Sequence, residues 1–238
     1  MKINVKSSKH NYNIYIKNNL LDHLEDYLEN NKHYIIIADD EIPNTYIEKL
    51  SNYCNNNYII RFPAGENSKS IKQYSIIIEK LIKNNLKRDS IIIALGGGVT
   101  GDLAGFIAAT IYRGIDYIQI PTSLLAQIDS SIGGKVAINS ETVKNAIGSF
   151  YPPKKVLIDP TTLKTLSRRH FNNGMAEMIK YGMIYSLDFF EEIQTKNIEE
   201  NIEYFIYKAL RIKKHFIESD EFDKSIRQIL NFGHTYGH

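Results

Sequence analysis

The sequence predicts an α/β fold in which a layered domain with a parallel sheet precedes an all-α domain. Short apolar runs at residues 33–39, 58–62 and 90–95 alternate with helix-compatible segments, as in parallel sheets covered by helices. A glycine-rich turn directly follows the last of these runs, and beyond the sheet region the pattern is helical only. We therefore assign residues 1–166 to the α/β domain and residues 167–238 to the helical domain.

The elements follow from apolar periodicity along the chain. Residues 12–16 (YNIYI) alternate as a strand does. Further strands are predicted at 33–39, 58–62, 90–95 and 117–121, and helices at 19–30, 43–54, 69–85, 101–112, 161–171, 173–186, 198–219 and 223–238. Helical spacing places Ile71, Ile76, Ile77, Leu81 and Ile82 on one face. Residues 121–135 are rich in Thr, Ser and Gly, which predicts a loop.

Charge and composition exclude several functional classes. With 29 Lys and Arg against 27 Asp and Glu, the net charge of +2 gives no reason to expect nucleic acid or a membrane as partner. The longest apolar stretch is too short to span a bilayer, and the N-terminus lacks the apolar region of a signal peptide. The single cysteine, Cys54, rules out an internal disulfide and fits a reducing compartment, so we expect a cytoplasmic protein.

The strongest local motif is the glycine turn in SIIIALGGGVTGDLAGF, residues 90–106. Gly96, Gly98 and Gly101 satisfy G-x-G-x-x-G between an apolar strand and a helix, which is typical of Rossmann-like dinucleotide sites. Glycines let the backbone approach a pyrophosphate, although a tight turn without a ligand would have the same pattern. An acid would repel phosphate, so we expect Asp102 at a ribose hydroxyl or at the nicotinamide end.

Polar residues downstream allow two interpretations. Asp129 and Lys135 lie in the predicted loop, where a lysine binds phosphate or carboxylate and an aspartate fixes a hydroxyl. For Lys135 alone, a solvated loop is the simpler interpretation. Glu177 and Lys180 share a helix face, and for this pair in isolation a surface ion pair is the simpler interpretation.

The C-terminal residues form a polar stripe on the last predicted helix. Arg227, Asn231, His234 and His238 follow one another at i, i+4, i+7 and i+11. The two histidines could hold a metal together, divide metal binding and chemistry between them, or be ordinary polar side chains. The stripe favours the wall of a site for an anionic, hydroxylated ligand, with Glu177 the one carboxylate that we pair with a metal.

Six motifs, taken together, resemble the 3-dehydroquinate synthase family of sugar phosphate cyclases. They are GENSKS (65–70), GGGVTGDLAGF (96–106), PTSLLAQIDSSIGGKVAIN (121–139), KNAIG (144–148), MAEMIKYG (175–182) and NFGHTYGH (231–238). They occur in the family's order and approximate spacing over the whole chain. Polyol dehydrogenases share the GGG loop, but not the DSSIGGK or NFGHTxGH stretches.

The resemblance implies an NAD-dependent lyase with a divalent metal, zinc or cobalt, that acts in the shikimate pathway. The reaction converts 3-deoxy-D-arabino-heptulosonate 7-phosphate to 3-dehydroquinate and phosphate. In the family, NAD oxidises the C5 hydroxyl, phosphate is eliminated, the hydride returns, and an aldol step closes the ring. The leaving phosphate is thought to serve as its own base. The resemblance also implies a homodimer.

The resemblance assigns roles to single residues. The NAD contacts would be Asp39, Glu66, Lys69, Gly97, Gly98, Val99, Asp102, Thr122, Ser123, Lys135, Lys144, Thr162, Leu163, Lys164 and Thr165. The catalytic and substrate-binding residues would be Asp129, Lys135, Lys144, Asn145, Lys180, Lys213, Arg227, Asn231 and His238, with Arg113 reaching the phosphate from the other subunit. Glu177 and His234 would bind the metal, and His238 would face the substrate.

One family feature is not found in these 238 residues. The third metal ligand of the family is a histidine on a later helix, so we expect the helical domain to be incomplete here. A metal held by two ligands would bind weakly. Three functions stay open: the synthase, whole or as a fragment; a non-catalytic NAD-binding remnant; and a paralogous sugar phosphate cyclase.

Overall fold

A seven-stranded sheet with helices on both faces, followed by packed helices, makes up residues 1–233, the part of the chain that the computed structural model describes. The strands are β1 Lys2–Val5, β2 Tyr12–Ile16, β3 Tyr34–Asp39, β4 Asn57–Phe62, β5 Ile91–Gly96, β6 Tyr117–Pro121, β7 Lys135–Ile138, β8 Ile147–Phe150 and β9 Lys155–Ile158. The α-helices are α1 Asn44–Tyr53, α2 Ile71–Lys83, α3 Gly98–Thr110, α4 Arg168–Tyr185, α5 Leu187–Thr195 and α6 Ile202–Ser219. The predicted fold class is confirmed.

The sheet has the strand order β1-β2-β9-β6-β5-β3-β4. Only β1 runs antiparallel to its neighbour, so the carboxyl ends of the other six strands lie along one edge. Every residue of β5 is buried, because helices cover both faces of a parallel sheet. Strands β7 and β8 form a separate antiparallel pair that packs against α3.

The order of the strands creates a crevice beside β3. From β3 the chain passes through α1 to β4 on one side of β3, and from β4 it returns through α2 to β5 on the other side. The helices at this point cover opposite faces, with Leu50 of α1 in one core and Leu81 of α2 in the other. Ligands of open α/β sheets bind at such a switch point, outside the carboxyl ends of the strands.

The helical region packs on the β1-β2-β9 end of the sheet. One core joins Tyr12 and Ile14 of β2 to Tyr181 of α4 and Phe205 of α6. Helix α4 begins after Ser167, whose hydroxyl accepts the His170 N–H at 3.4 Å. The division of the chain into two domains at residue 166 stays a prediction. Among residues 1–233, no helix has both the length and the apolarity to cross a bilayer.

Two predicted helices differ in the N-terminal half. Residues 19–30 form two short 3₁₀ turns rather than one helix, because the Asp159 carboxylate binds the N–H groups of Asn19 and Leu21. On α2, Ile77 and Leu81 are buried as predicted, but the other three predicted members of the face are exposed: Ile71, Ile76 and Ile82. The apolar stripe is therefore wider than the surface that the helix buries.

Residues 121–135 are not a loop. A π-helix spans Ala126–Ser130, and strand β7 begins at Lys135. The strands β1, β7, β8 and β9 and the helix α5 are absent from the prediction. The predicted helices 161–171 and 173–186 are a 3₁₀ helix over Pro160–Thr165 and the single helix α4.

The last predicted helix, 223–238, is wrong in the part that is described. Residues 220–225 form turns, and a short 3₁₀ helix follows over Ile226–Asn231. The cause is Asp220, whose carboxylate accepts the N–H groups of Lys224 and Ser225 at 3.0 and 2.6 Å and holds the backbone away from an α-helix. The predicted spacing of His234 and His238 lies outside the described residues.

Candidate functional site

The glycine turn joins β5 to α3 at the switch point of the sheet. A Cβ at Gly96 would lie 2.5 Å from Thr100 Oγ1, and a Cβ at Gly101 would lie 2.8 Å from Gln119 Oε1. The Thr100 hydroxyl in turn donates to the Asp39 carboxylate at 2.8 Å. The first N–H groups of α3 have no partner within the helix, which is the arrangement that binds a pyrophosphate.

The surface of this turn faces the segment after β6. A Cβ at Gly97 would lie 3.5 Å from Ser123 Oγ, and a Cβ at Gly98 would lie 3.2 Å from Ser130 Oγ. The backbone is therefore open to a close ligand only because side chains are absent at these positions. These glycines fit a dinucleotide, as the sequence predicts.

Asp102 forms a largely buried ion pair next to the turn. Its carboxylate lies 2.6 Å from Lys69 Nζ. Burial raises the pKa of Asp102 to about 6, although the charge of Lys69 acts in the opposite direction. Asp102 thus meets a lysine of its own chain, and it also lines the central cavity described below.

Most of the residues predicted to contact NAD follow the carboxyl ends of five parallel strands. Twelve do so: Asp39 at the end of β3, Glu66 and Lys69 after β4, Gly97, Gly98 and Val99 after β5, Thr122 and Ser123 after β6, and Thr162, Leu163, Lys164 and Thr165 after β9. Asp102 lies on α3, whereas Lys135 and Lys144 lie in or beside the separate β7–β8 pair. Because the five strand ends share one edge, the topology gathers the twelve residues there. The Glu66 carboxylate accepts from Asn139 Nδ2 at 2.8 Å, which ties this edge to the end of β7.

A cavity of about 640 Å³ lies between this edge and the helices. Its lining includes eight residues predicted from the sequence: Asp102, Asp129, Lys135, Asn145, Glu177, Lys213, Arg227 and Asn231. Both kinds of predicted contact, cofactor and substrate, therefore meet in one space. The walls also contain Ser130 and Asp223, which the sequence analysis did not assign.

The Asp129 carboxylate stands at the centre of the charged wall, on the π-helix. It forms an ion pair with Lys213 of α6 and accepts from the Tyr181 hydroxyl of α4 at 2.5 Å. Burial alone would raise the pKa of Asp129, but Lys213 and the Tyr181 hydrogen bond outweigh it and lower the pKa. Asp129 is therefore held as a carboxylate.

Glu177 and Lys180 form a buried ion pair, so the surface interpretation is wrong. Their charged groups are 2.7 Å apart, and about a tenth of each side chain is exposed, 12% and 10%. Lys180 also donates to the Leu230 carbonyl oxygen. Burial and the Asp129 charge raise the pKa of Glu177, and Lys180 offsets part of this effect.

Arg227 and Lys135 both line the cavity. Arg227 is buried, donates to the Glu221 carbonyl oxygen at 2.7 Å, and lies where a Cβ at Gly133 would be 2.4 Å from its Nη2. Lys135 is the first residue of strand β7 rather than part of a loop, and it forms an ion pair with Asp223. The cavity therefore presents cations together with carboxylates, which suits a ligand bearing anionic groups and hydroxyls.

Models of one protein family match most of the chain. The N-terminal model of 3-dehydroquinate synthase matches residues 59–173, and its C-terminal model matches residues 174–238. The chain belongs to the 3-dehydroquinate synthase family. This confirms the resemblance drawn from the six motifs.

Individual 3-dehydroquinate synthases are similar over nearly the whole chain. The protein of Clostridium acetobutylicum is 45% identical over 99% of this chain and 69% of its own length. That of Clostridium perfringens is 53% identical over 76% of this chain and 53% of its own length. The chain thus spans about half to two thirds of the length of these synthases.

Solved structures of related cyclases have the same fold. A 2-deoxy-scyllo-inosose synthase in complex with carbaglucose-6-phosphate, NAD⁺ and Co²⁺ superposes with a TM-score of 0.89, at 28% identity, over 100% of this chain and 68% of its own. A 2-epi-5-epi-valiolone synthase from Streptomyces hygroscopicus with NAD⁺ and Zn²⁺ bound gives a TM-score of 0.83 at 24% identity, over 97% of this chain and 68% of its own, and shows the fold alone.

Among the described residues assigned to catalysis or substrate binding through the 3-dehydroquinate synthase family, Arg113, Lys144 and Lys180 do not line the cavity. Arg113 is exposed at the far end of α3, about 20 Å along the helix from the glycine turn, in a left-handed conformation with φ 68°. Lys144 is exposed in the turn beside Asn145, which does line the cavity. His234 and His238 lie outside the described residues.

The metal assignment rests on Glu177 within the described part. Residues 1–233 contain no group of three His, Cys, Asp or Glu side chains arranged to hold a metal. Glu177 lines the cavity beside Lys213, and a carboxylate oxygen is a ligand that zinc accepts. The donor chemistry therefore fits a metal of the predicted kind, with His234 as the predicted second ligand.

The sequence analysis missed three residues that shape the site: Gln127, Tyr181 and Asp223. The buried Gln127 amide donates to the carbonyl oxygens of Pro121 and Asp159, at 3.1 and 3.2 Å, which fixes the π-helix between β6 and β9. Its signal was an amide within the apolar run LLAQI. Tyr181 follows Lys180 directly, but an aromatic residue on an apolar helix face is usually a core residue, so it was not assigned to the site.

Proposed function

We propose that this chain carries out the 3-dehydroquinate synthase reaction, the NAD- and metal-dependent conversion of 3-deoxy-D-arabino-heptulosonate 7-phosphate to 3-dehydroquinate and phosphate. The observation that carries the proposal is one cavity in which Asp102, beside the glycine turn, faces Lys213 and Arg227. A nucleotide and an anionic substrate would meet there. Membership of the 3-dehydroquinate synthase family supports this reaction above others.

The cofactor half of the proposal rests on the edge of the sheet. Gly97, Gly98 and Val99 would hold the pyrophosphate of NAD through backbone N–H groups. Glu66 would accept from a ribose hydroxyl, and Asp102 with Lys69 would fix the nicotinamide end. The NAD⁺ in the related 2-deoxy-scyllo-inosose synthase structure supports the choice of cofactor.

The substrate half rests on the charged wall. Lys135, Lys180 and Arg227 would neutralise the phosphate and carboxylate of the substrate, and Asp129 and Asn231 would bind its hydroxyls. Glu177 and His234 would hold zinc or cobalt, in line with the Co²⁺ of the related 2-deoxy-scyllo-inosose synthase structure. In the structure Lys180 is the partner of Glu177.

The protein's own part in the chemistry is to bind and orient. NAD supplies a reversible hydride acceptor, and the metal lowers the pKa of the hydroxyl to be oxidised. Lys213 and Tyr181 keep Asp129 ionised, so that it can accept a hydrogen bond from the substrate. The buried Arg227 holds a fixed positive charge where the leaving phosphate would be stabilised.

The test is release of phosphate from the proposed substrate. Once its helical domain is extended to supply the third metal ligand, the protein with zinc or cobalt and less NAD than substrate should release many phosphates per NAD, because the cofactor would be regenerated in each turnover. The synthase of Clostridium acetobutylicum serves as positive control. NAD binding without phosphate release, while the control is active, would favour the non-catalytic NAD-binding remnant.

A paralogous cyclase is the second candidate, because the 2-deoxy-scyllo-inosose synthase with carbaglucose-6-phosphate covers all of this chain at a TM-score of 0.89. Hexose and heptulose phosphates assayed in parallel would separate the two activities. We expect the heptulosonate to be preferred, because the cavity contains Arg227 and Lys135, two cations that would bind a carboxylate. Preference for a hexose phosphate would reverse the assignment.

The homodimer is part of the same proposal. Arg113 is exposed and does not line its own cavity, which fits a role in the site of a second copy. Sedimentation should give a dimer. Mixing the inactive variants R113A and K213M should then restore part of the activity, since one of the two mixed sites contains both wild-type residues. Failure of complementation in a proven dimer would place Arg113 outside the site.

A further inference from the structure

Tyr181 is a buried polar side chain that the proposed mechanism uses only indirectly. It lies on α4, directly after Lys180, and its side chain is fully buried. It does not line the cavity but stands behind its wall, in the core shared by α4, α6 and the sheet. A phenol at such a position needs a hydrogen-bond partner, because an unpaired buried hydroxyl is destabilising.

The partner of the Tyr181 hydroxyl is the Asp129 carboxylate, at 2.5 Å. Glu177 lies one turn earlier on α4, on the same face of the helix as Tyr181. The phenol carries one proton, so it can serve one carboxylate at a time. Tyr181 is thus the neutral group between two carboxylates of the proposed site.

Each carboxylate also has its own lysine. Asp129 pairs with Lys213, and Glu177 pairs with Lys180. These four charges cancel, so the cluster around Tyr181 is neutral as it stands. A lysine ammonium on a flexible stem sets the charge of a carboxylate but fixes its direction poorly, whereas a buried phenol is rigid.

We propose that Tyr181 is a positioning residue, whose hydroxyl fixes the Asp129 carboxylate at the cavity wall and holds it in register with Glu177. Tyr181 comes from the helical region, and Asp129 from the π-helix beside the glycine turn. The hydrogen bond therefore sets the distance between the substrate wall and the cofactor edge. This role rests on the proposed function, since it concerns how Asp129 would bind substrate.

The first experiment is a crystal structure of Tyr181→Phe in the metal-free protein. Loss of the hydroxyl should let the Asp129 carboxylate rotate away from its present position toward Lys213. Tyr185→Phe is the matched control, because Tyr185 lies one turn later on the same helix and is 49% exposed. An Asp129 carboxylate that stays in place in Y181F would overturn the proposal, whether or not the enzyme is active.

The second experiment measures turnover and metal binding. Y181F should lower kcat/KM for the sugar phosphate by about ten- to a hundred-fold, the loss expected for a hydrogen bond to a charged group, with KM for NAD unchanged. Its Co²⁺ absorption spectrum should also change, because Glu177 loses a neighbour, whereas Y185F should match wild type in both. Equal behaviour of the two variants would overturn the proposal.

A further variant keeps the proposal open to refutation if Y181F does not fold. Asp129→Asn removes the negative charge that attracts Lys213 but retains an oxygen that accepts from Tyr181. The crystal structure of D129N should keep the side chain in place, and a side chain that swings away would show that Lys213 alone had fixed it. An inactive wild type would count against the proposed function only, because both crystal structures still decide the position of Asp129.

Discussion

The two halves of the cavity are built by different means. The glycine turn is made by backbone, within a few consecutive residues, and its shape depends on the absence of side chains at Gly97 and Gly98. The charged wall is made by side chains from distant parts of the chain, such as Asp129 and Lys213, which are 84 residues apart. A substitution in the turn should therefore act by filling space that the ligand needs. A substitution in the wall should act by changing the charge of the site.

The largest effect should come from breaking the buried ion pair of the wall. Lys213→Met removes the ion-pair partner of the mostly buried Asp129 carboxylate, which costs at most about 3–5 kcal/mol, the loss when a fully buried pair loses one partner. We expect kcat/KM to fall at least about 100-fold, with lower stability. Lys214→Met is the matched control, since Lys214 is on the same helix but forms a longer ion pair, 3.7 Å from Glu218. Steady-state kinetics and urea unfolding measure both, and equal losses would contradict this account of the wall.

The glycine turn offers a pair of substitutions that separates folding from binding. Gly101→Ala would place a Cβ 2.8 Å from Gln119 Oε1, so we expect a loss of about 1–3 kcal/mol of stability from overpacking. Gly97→Ala would meet nothing nearer than 3.5 Å, so stability should hold. The methyl group would still occupy the surface proposed for NAD, and we expect about ten-fold weaker NAD binding by calorimetry. Unchanged NAD binding in G97A would place the cofactor elsewhere.

Asp102, beside the glycine turn, should make the stability of the folded state depend on pH. Its pKa is raised to about 6 from the ordinary aspartate value of 3.8, so the folded state holds its proton more tightly than the unfolded state. The resulting stabilisation is fully present below pH 3.8 and is lost as the pH rises through 6. The stability of wild type relative to Asp102→Asn should fall between pH 4 and 7, on the order of 1–3 kcal/mol. A difference that stays constant over this range in urea titrations would contradict the raised pKa.

The smallest effect should come from an ion pair outside the cavity. Lys196 and Glu192 lie 3.2 Å apart at i, i+4 on an exposed surface, with 47% of the Lys196 side chain accessible. Lys196→Ala should cost only about 0.3–0.5 kcal/mol and leave kcat/KM unchanged. Thermal unfolding of K196A beside K213M would measure the contrast between exposed and buried pairs. A large loss of stability in K196A would show that burial does not explain the difference between the two ion pairs.

The parts of the fold that could be predicted are those with a local pattern. Strands β3 and β5 are continuous apolar runs because both of their faces are buried. Strand β8 has no fully buried residue, so no periodicity marks it. The last segment was misassigned because Asp220 binds backbone N–H groups locally, a competition that helical spacing does not register.

The candidate site also has a part that could be predicted from local sequence and a part that could not. The glycine turn is contiguous, so its chemistry could be derived from a few residues. The members of the wall came from a family resemblance, and their pairing is a property of the fold, as with Lys135 and Asp223, which are 88 residues apart. Tyr181 was missed because nothing local distinguishes a buried phenol that supports a carboxylate from one that only packs.

The pairing of β2 with β9 has a consequence for synthesis. Asn13 pairs with Lys155, so about 140 residues must be translated before the first hairpin has its neighbour. At ribosomal rates this delay is roughly ten seconds, during which Ile14 and Ile16 have no sheet to join. Strands β3 to β6 are complete well before that. The nascent chain thus carries its cofactor edge early and its N-terminal hairpin as an unpaired edge, the surface that a chaperone would shield.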